Sequence, residues 1–192
     1  MVSRAETLVA LDIETTGLDP TQSRVRAAAM AGFDGQETLV LISNDEARLL
    51  RELEDLVHRL PPDATIATWN GEEFDMPFLA FRFERLGVRS TLRVVPTQST
   101  GKYGGLLFRA DWSGRSHLDI APHFRKVAEA LRVPWNLKPI ARAVLGANPV
   151  EVDRSGPAIG QLNPDRLGAY VASDAEITLA LAKRLMRNLV PA

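Results

Sequence analysis

The chain has 192 residues, of which 45% are apolar and 24% are charged, and its formal net charge is −1. Such a length and composition fit one globular domain with a full core, so we expect residues 1–192 to form a single domain. The absence of cysteine excludes Cys-based chemistry, and without an 18-residue apolar run or a signal-like start we expect a cytoplasmic protein with no membrane partner.

The first predicted element is a buried strand over 8–13 that carries two acids and ends at a Thr-Thr-Gly turn. Asp12 and Glu14 are two positions apart, so on a strand their side chains point to the same face. Two acids on a buried strand repel each other and are costly to desolvate, and a cation between them removes both penalties. We therefore interpret Asp12 and Glu14 as metal ligands whose partners lie elsewhere in the chain.

Two further strands are predicted over 25–33 and 37–42. They are joined at an Asp34-Gly35 hairpin turn, which predicts an antiparallel meander of the first three strands. Ser43 and Glu46 fit a capping box for the helix that follows, and a Pro-Pro pair ends this helix near residue 60.

A short strand over 65–69 leads through Asn70 into a helix that begins near Asp75. Asp75 can cap this helix, bind a metal, or do both, because sheet-based sites gather their ligands at the carboxyl ends of strands. Phe74 beside it can equally pack in the core or stack on a base.

The middle of the chain is basic. Residues 80–142 hold twelve Lys/Arg and four Asp/Glu, or +8, against −9 for the remainder. This distribution suits a polyanion-binding surface beside an acidic site, although solvated helix faces would give the same count. Within the basic segment we predict strands over 91–119 around a polar loop at 97–105, and then helices over 120–131 and 137–145.

The polar loop contains Lys102 in the stretch Thr100-Gly101-Lys102-Tyr103. This stretch is not a phosphate loop, because Pro96 stands at the position of the required earlier Gly and Tyr103 replaces Ser or Thr. Two interpretations remain open: a basic loop that touches a nucleic-acid strand, and a plain surface hairpin.

Other residues of the basic segment have candidate roles as well. Trp135 and Lys138 are candidates for stacking and for phosphate contact, although a Trp also suits the core. Asp119 is expected to cap the helix that follows it. The Pro/Gly-rich connection over 146–163 can be a mobile lid or only a variable connection.

The last helix begins at an Asn163 cap with Pro164 in its first position. It carries Tyr170 and Asp174 at i and i+4, which places both on one face. An Asp in mid-helix among apolar residues has poor helix propensity and is costly to bury without a partner. We therefore add Asp174 to the candidate metal ligands, which makes four acids on three elements.

Strands come first and then alternate with helices, which predicts an α/β fold in which helices pack on a mixed sheet. The motifs Asp12-Ile13-Glu14, Asn70 to Asp75, and Tyr170 to Asp174 resemble those of the DEDD superfamily of 3′–5′ exonucleases. Because Tyr rather than His precedes the last Asp, the chain looks like the Tyr branch (DEDDy). It is most similar to the proofreading exonuclease domain of family B DNA polymerases.

This resemblance implies a ribonuclease H-like sheet, in which the first three strands are antiparallel and the later ones parallel, flanked by helices. It also implies a 3′–5′ exonuclease that hydrolyses phosphodiester bonds at the 3′ end of single-stranded nucleic acid, with DNA favoured. Nothing in the sequence corresponds to a polymerase domain, so we expect a stand-alone nuclease domain or the partner of another protein, such as a polymerase or a repair protein.

The resemblance further implies a two-metal-ion mechanism with Mg²⁺ or Mn²⁺, which suits a site made of carboxylates. In such a site Asp12 bridges both ions, Glu14 and Asp174 complete the site that activates water, and Asp75 serves the other ion. Tyr170 orients the attacking water by hydrogen bonding.

Substrate contacts are implied in the same way. The backbone around Thr15 and Thr16 would receive the terminal 3′-hydroxyl, and Leu18 would act as a wedge beside the last base. The remaining expected strand contacts are Asn70, Phe74, Lys102 and Lys138. Two alternatives stay open: a 3′–5′ exoribonuclease of the same fold, and a catalytically silent module that binds nucleic acid or docks a subunit.

Overall fold

The structure is a computed structural model that describes residues 7–33, 38–152 and 162–189. Within these residues seven strands form one sheet, in the spatial order β3-β2-β1-β4-β7-β6-β5. The strands are β1 (Leu8–Thr15), β2 (Val25–Ala31), β3 (Leu39–Ile42), β4 (Thr65–Thr68), β5 (Leu92–Thr100), β6 (Leu106–Trp112) and β7 (Arg115–Asp119).

The pairing of these strands confirms the predicted mixed sheet. β1, β2 and β3 are antiparallel neighbours, whereas β4 lies parallel to both β1 and β7. β6 and β5 extend the sheet as an antiparallel hairpin beyond β7. The carboxyl ends of β1, β4 and β7 therefore meet at one edge, where α/β sheets place their sites.

Helices cover both faces of the sheet. The helices are α1 (Glu46–Arg59), α2 (Asp75–Arg85), a 3-10 turn (Ala121–Phe124), α3 (Arg125–Leu131), α4 (Leu137–Leu145) and α5 (Pro164–Leu189). α1 and α2 pack on one face, and α3, α4 and α5 pack on the other. Among the described helices, none combines the length and the apolar character needed to cross a bilayer.

The face covered by α5 is built from small residues. β1 alternates between large apolar residues toward α1 and small or acidic residues toward α5. On β2, Ala29 pairs with Asp12 and Ala27 with Glu14, and both alanines are fully buried. Because alanine occupies little space, α5 lies close to β1 and brings its own side chains to the two acids.

The predicted capping box at the start of α1 is wrong. Asp45 is the N-cap, and its side chain accepts a hydrogen bond from the backbone N–H of Arg48 at 3.0 Å. Ser43 instead accepts a hydrogen bond from the N–H of Asp45. Three cap-forming residue types stand in a row here, and the sequence alone did not distinguish among them.

Glu46, the other member of the predicted box, forms a buried ion pair with Arg82. Two guanidinium nitrogens of Arg82 contact its carboxylate at 2.9 and 2.6 Å, and the N–H of Val25 donates to it at 2.8 Å. Arg82 also donates to the carbonyl of Pro20. The pair therefore fixes the turn after β1, and Arg82 and the buried Arg115 do not belong to the expected basic surface.

The other element predictions agree with the structure, with differences at their ends. β5 continues to Thr100, so the polar loop is shorter than expected, and the helix predicted over 120–131 divides into the 3-10 turn and α3. Asn163 caps α5, because its side chain accepts a hydrogen bond from the N–H of Arg166. The predicted Asp34-Gly35 turn lies outside the described residues.

Glu54 on α1 is the most heavily hydrogen-bonded acid of the core face. Its carboxylate accepts bonds from Ser90 Oγ, from the N–H and Oγ1 of Thr91, and from Trp112 Nε1, all at 2.6–2.8 Å. It also pairs with His58 Nε2 at 3.0 Å. Burial would raise the pKa of Glu54, but the hydrogen bonds outweigh it and hold this pKa below its ordinary value.

We expect Glu54→Ala to lower the free energy of unfolding by about 2–4 kcal/mol, because it leaves several buried donors unpaired. Glu54 has a lowered pKa in the folded state, so its contribution is complete at neutral pH and is lost as the pH falls through that pKa. Urea unfolding measures the change, with Glu52→Ala on the same helix as the control, because the Glu52 side chain is 42% exposed and its ion pair with Arg48 lies at the surface. An equal loss in both variants would contradict the role given to Glu54.

Candidate active site

Three carboxylates from two elements meet at the carboxyl end of β1. Asp12 and Glu14 lie on β1 and Asp174 lies on α5, and each offers an oxygen within 4.8 Å of the other two. The alternation of β1 turns both of its acids toward α5, and the alanine face lets α5 approach them. The structure therefore brings together three of the four predicted metal ligands.

The cluster is electrostatically unfavourable without a cation. Oδ2 of Asp12 is buried without a hydrogen-bond donor. Burial and the charges of Glu14, Asp174 and Asp75 raise the pKa of Asp12 well above its ordinary value. Burial, followed by the charges of Asp174 and Asp75, raises the pKa of Glu14 to about 8.

Asp75, the fourth predicted ligand, is the first residue of α2 and is not among the three carboxylates whose oxygens lie within 4.8 Å of one another. Its charge nevertheless raises the pKa of Asp12 and Glu14, so it belongs to the same electrostatic site. Burial, with a smaller contribution from Asp119, raises the pKa of Asp75 to about 7. The N-cap of α2 is Phe74, without a side-chain cap bond, so the predicted capping role of Asp75 is wrong.

Lys138 lies inside the site. Its Nζ is 3.0 Å from Oδ1 of Asp174 and donates to the carbonyl of Val150 at 2.7 Å, and its side chain is only 11% exposed. The same Nζ lies 3.5 Å from the centre of the Tyr170 ring. Lys138 is therefore paired within the site, and the predicted contact with a phosphate stays a prediction.

Tyr170 and Asp174 share one face of α5, as their spacing predicted. Burial raises the pKa of Asp174 to about 6, while Lys138 and a hydrogen bond from Tyr170 act in the opposite direction. Burial and the neighbouring carboxylates raise the pKa of Tyr170 above its ordinary value. Its hydroxyl therefore stays protonated at neutral pH and can act as a hydrogen-bond donor.

The turn after β1 carries the residues expected near the 3′-hydroxyl. Oγ1 of Thr15 donates to the carbonyl of Gly17 at 2.7 Å, and the N–H of Thr16 donates to the carbonyl of Arg24 at 3.0 Å. The N–H of Thr16 is therefore used within the turn rather than open to a ligand. Leu18 is 82% exposed at the tip of the turn, as a wedge would have to be.

Asn70 and Phe74 precede Asp75 in the loop between β4 and α2. Asn70 has a positive φ of 64°, and its N–H donates to Oδ1 of Asp119 at 2.9 Å. Asp119 also accepts from the N–H of Ala121 at the start of the 3-10 turn, which agrees with its predicted cap role. Phe74 packs on Phe78, with 5.3 Å between ring centres, so here it contacts the core.

Two residues near the site, Ser173 and Glu151, had no role predicted from the sequence. Ser173 Oγ accepts a hydrogen bond from the N–H of Val150, and the charge of Glu151 raises the pKa of Tyr170 and Asp174. The first part of the connection after α4 thus packs beside the carboxylates. Residues 153–161 lie outside the described residues, so the predicted lid stays a prediction.

These residues fit a divalent cation. All the candidate ligands are carboxylates, which suit hard cations such as Mg²⁺ and Mn²⁺. A divalent cation would also supply a partner for the orphaned Oδ2 of Asp12 and would lower the raised pKa values of the carboxylates. The chemistry of the donor set therefore agrees with a metal site.

Comparisons with known proteins give an independent view. The family model RNase_H_2, described as RNase_H superfamily, matches residues 9–159. DNA polymerase 1 of Saccharolobus solfataricus is 30% identical and is matched over 90% of this chain but 22% of its own length. DNA polymerase 1 of Pyrococcus abyssi is 24% identical and is matched over 92% of this chain and 24% of its own length.

Among solved structures, the family B DNA polymerase of Pyrobaculum calidifontis is similar, with a TM-score of 0.68, 24% sequence identity and coverage of 93% of this chain. The chain spans about a quarter of the length of these relatives. The predicted ribonuclease H-like fold and the nuclease class are confirmed, and divalent-metal dependence follows from them. Because the family model covers most of the sequence, the chain belongs to the RNase H superfamily.

Proposed function

We propose that this chain is a metal-dependent 3′–5′ exonuclease that acts on single-stranded nucleic acid, with DNA favoured over RNA. The observation that carries the proposal is the carboxylate cluster of Asp12, Glu14 and Asp174, with Tyr170 one turn from Asp174 on α5. The similarity to archaeal DNA polymerases favours DNA as the substrate. The proposal includes a single domain, a cytoplasmic location, and a polymerase or repair protein as a candidate partner.

The proposed site holds two Mg²⁺ or Mn²⁺ ions. Asp12 would contact both, Glu14 and Asp174 would complete the first site, and Asp75 would serve the second. When bound, such ions lower the pKa of water and stabilise charge on the phosphate and on the leaving oxygen. The burial of Asp75 and Asp174, which are 6% and 7% exposed, supports the proposal, because it limits the access of competing solvent to the ligands.

The residues around the carboxylates would orient the substrate. The raised pKa of Tyr170 leaves an O–H that can position the attacking water. Leu18 would contact the last base, and the backbone around Thr15 and Thr16 the terminal sugar; the exposure of Leu18 supports this role. Asn70 and Phe74 flank the strand from the loop before α2.

The most direct test is a gel assay with single strands of one sequence, as DNA and as RNA, incubated with Mg²⁺, Mn²⁺ or EDTA. A 5′-labelled strand should shorten stepwise, whereas a 3′-labelled strand should release its label at once as a mononucleotide. EDTA should stop both reactions. Faster loss of RNA would assign the chain to exoribonucleases, and tight binding without hydrolysis would assign it to silent binding modules.

We expect Tyr170→Phe to lower kcat by about 10- to 100-fold with little change in KM, because the hydroxyl acts on the water rather than on the strand. Steady-state kinetics on a DNA oligonucleotide measure both constants. Tyr103→Phe makes the same chemical change on the exposed tip of the β5–β6 hairpin and serves as the control. Unchanged kinetics of Tyr170→Phe across the pH range would refute the role given to Tyr170.

A further inference from the structure

A cleft separate from the carboxylate cluster lies at the carboxyl ends of β4 and β7. It has a volume of about 320 Å³, and its walls include Asn70, Lys102, Leu107, Asp119, Arg125 and Trp135. β4 is the neighbour of β1 in the sheet, and β7 is the next strand along. With strands about 4.8 Å apart, β7 lies roughly 10 Å from the strand that carries the cluster.

Trp135 provides an aromatic surface with two cations near it. Nζ of Lys102 lies 5.2 Å and Cζ of Arg125 lies 5.6 Å from its ring centre. The indole N–H donates to the carbonyl of Ala121 at 2.7 Å, which fixes the orientation of the ring. Aromatic rings in a basic groove are the usual means of binding single-stranded nucleic acid, because every base can stack on them.

The two cations keep donors available. Lys102 donates to the carbonyl of Trp135 and to the side chain of Asn136, and an ammonium has three N–H groups, so one remains. Arg125 is 67% exposed, and its contact with Glu129 is long, at 3.4 Å. Both can therefore reach a phosphate oxygen in the cleft.

Asp119, the acidic residue that lines the cleft, repels a phosphate there only weakly. Oδ1 of Asp119 accepts hydrogen bonds from the N–H groups of Asn70 and Ala121, and Oδ2 accepts one from the N–H of Glu72. Its carboxylate is thus engaged by the backbone rather than turned freely into the cleft.

The hairpin side of the cleft is preformed. The carboxylate of Glu73 accepts hydrogen bonds from the N–H groups of Tyr103 and Gly105, at 2.9 and 3.0 Å, and so holds the tip of the β5–β6 hairpin. A Cβ on Gly101 would lie 2.3 Å from the carboxyl group of Glu73, so a side chain there would displace the carboxylate that holds the tip. The tip therefore keeps Lys102 at the rim of the cleft.

We propose that this cleft binds a nucleotide of the substrate strand upstream of the reacting 3′ end, with its base on Trp135 and its phosphate on Lys102 and Arg125. The inference rests on the proposed function for the position of the 3′ end. A distance of roughly 10 Å corresponds to at most about three nucleotides, because about 3.4 Å per nucleotide is the spacing in a stacked duplex strand and an extended single strand spans more. The same chemistry could hold a free mononucleotide, which the experiment separates.

The test measures how well unlabelled DNA oligonucleotides of increasing length displace a labelled one from the full chain, in EDTA so that nothing is hydrolysed. In the wild-type protein we expect affinity to rise about tenfold once the oligonucleotide reaches the cleft, a typical gain from stacking one base. Arg125→Ala and Trp135→Ala should lose this step, and Trp135→Phe, which keeps a ring, should retain most of it. Lys126→Ala removes an adjacent exposed charge that does not line the cleft, and is the matched control.

Parallel hydrolysis assays in Mg²⁺ separate this inference from the proposed function. If the protein hydrolyses DNA but Arg125→Ala and Trp135→Ala keep the same length step as Lys126→Ala, the cleft assignment alone is overturned. A length step that depends on Trp135 in a protein without hydrolysis would support the cleft and reject the nuclease. Displacement by a free mononucleotide as effective as that by the longer strands would overturn the assignment to the strand.

Discussion

Asp12→Asn should abolish hydrolysis and at the same time stabilise the metal-free protein. The amide loses the charge that holds a cation, which contributes several kcal/mol to the reaction, so we expect a rate loss of about 10³-fold or more. The same change removes one of the mutually repelling buried charges, since Glu14, Asp174 and Asp75 all raise the pKa of Asp12. We therefore expect the free energy of unfolding in EDTA near pH 8 to increase by roughly 1–3 kcal/mol.

Two measurements on one preparation check this pair of effects: the rate on an end-labelled strand, and thermal unfolding in EDTA. Asp55→Asn makes the same change on the exposed face of α1 and should alter neither. An Asp12→Asn protein that hydrolyses DNA at the wild-type rate would refute the site. A variant that is inactive but clearly less stable would indicate that Asp12 is structural.

The sequence predicted most of the sheet because its signals are local. Asp12 and Glu14 were identified by their spacing of two residues on a strand, and Tyr170 and Asp174 by their spacing of four on a helix. In the structure the first pair lies on one face of β1 and the second on one face of α5. The antiparallel order of the first three strands also followed from the sequence. For the β5–β6 hairpin the sequence predicted only strands around a loop, because it does not indicate which strands pair with each other.

What the sequence did not predict depends on contacts between distant elements. The ion pair of Lys138 with Asp174 joins two helices, and no local pattern in the sequence indicates it. Glu46 fitted a capping box by spacing, but the buried Arg82 competes for its carboxylate. No role was predicted for the alanines of β2, whereas they determine how closely α5 approaches β1.

The stability of the metal-free protein should fall as the pH rises from about 5 to about 8.5. The folded-state pKa is raised to about 6 for Asp174, about 7 for Asp75 and about 8 for Glu14. A carboxyl group whose pKa is raised on folding contributes its full stabilisation of the folded state below its unfolded-state pKa, near 4. This stabilisation is lost as the pH rises through the folded-state pKa. At about 1.4 kcal/mol per pKa unit, the summed loss is on the order of several kcal/mol.

Divalent cations should reverse this trend, because they bind the ionised carboxylates and compete with protons. Excess Mg²⁺ or Mn²⁺ should therefore raise Tm little near pH 5 and most near pH 8.5, and a thousandfold excess over Kd would contribute about 4 kcal/mol. Thermal unfolding over this pH range, with EDTA or with metal, measures both effects. The double variant Asp12→Asn/Glu14→Gln should show a flatter pH profile and little response to metal. A wild-type Tm in EDTA that rises steadily toward pH 8.5 would contradict the buried, mutually repelling carboxylates on which the proposed site depends.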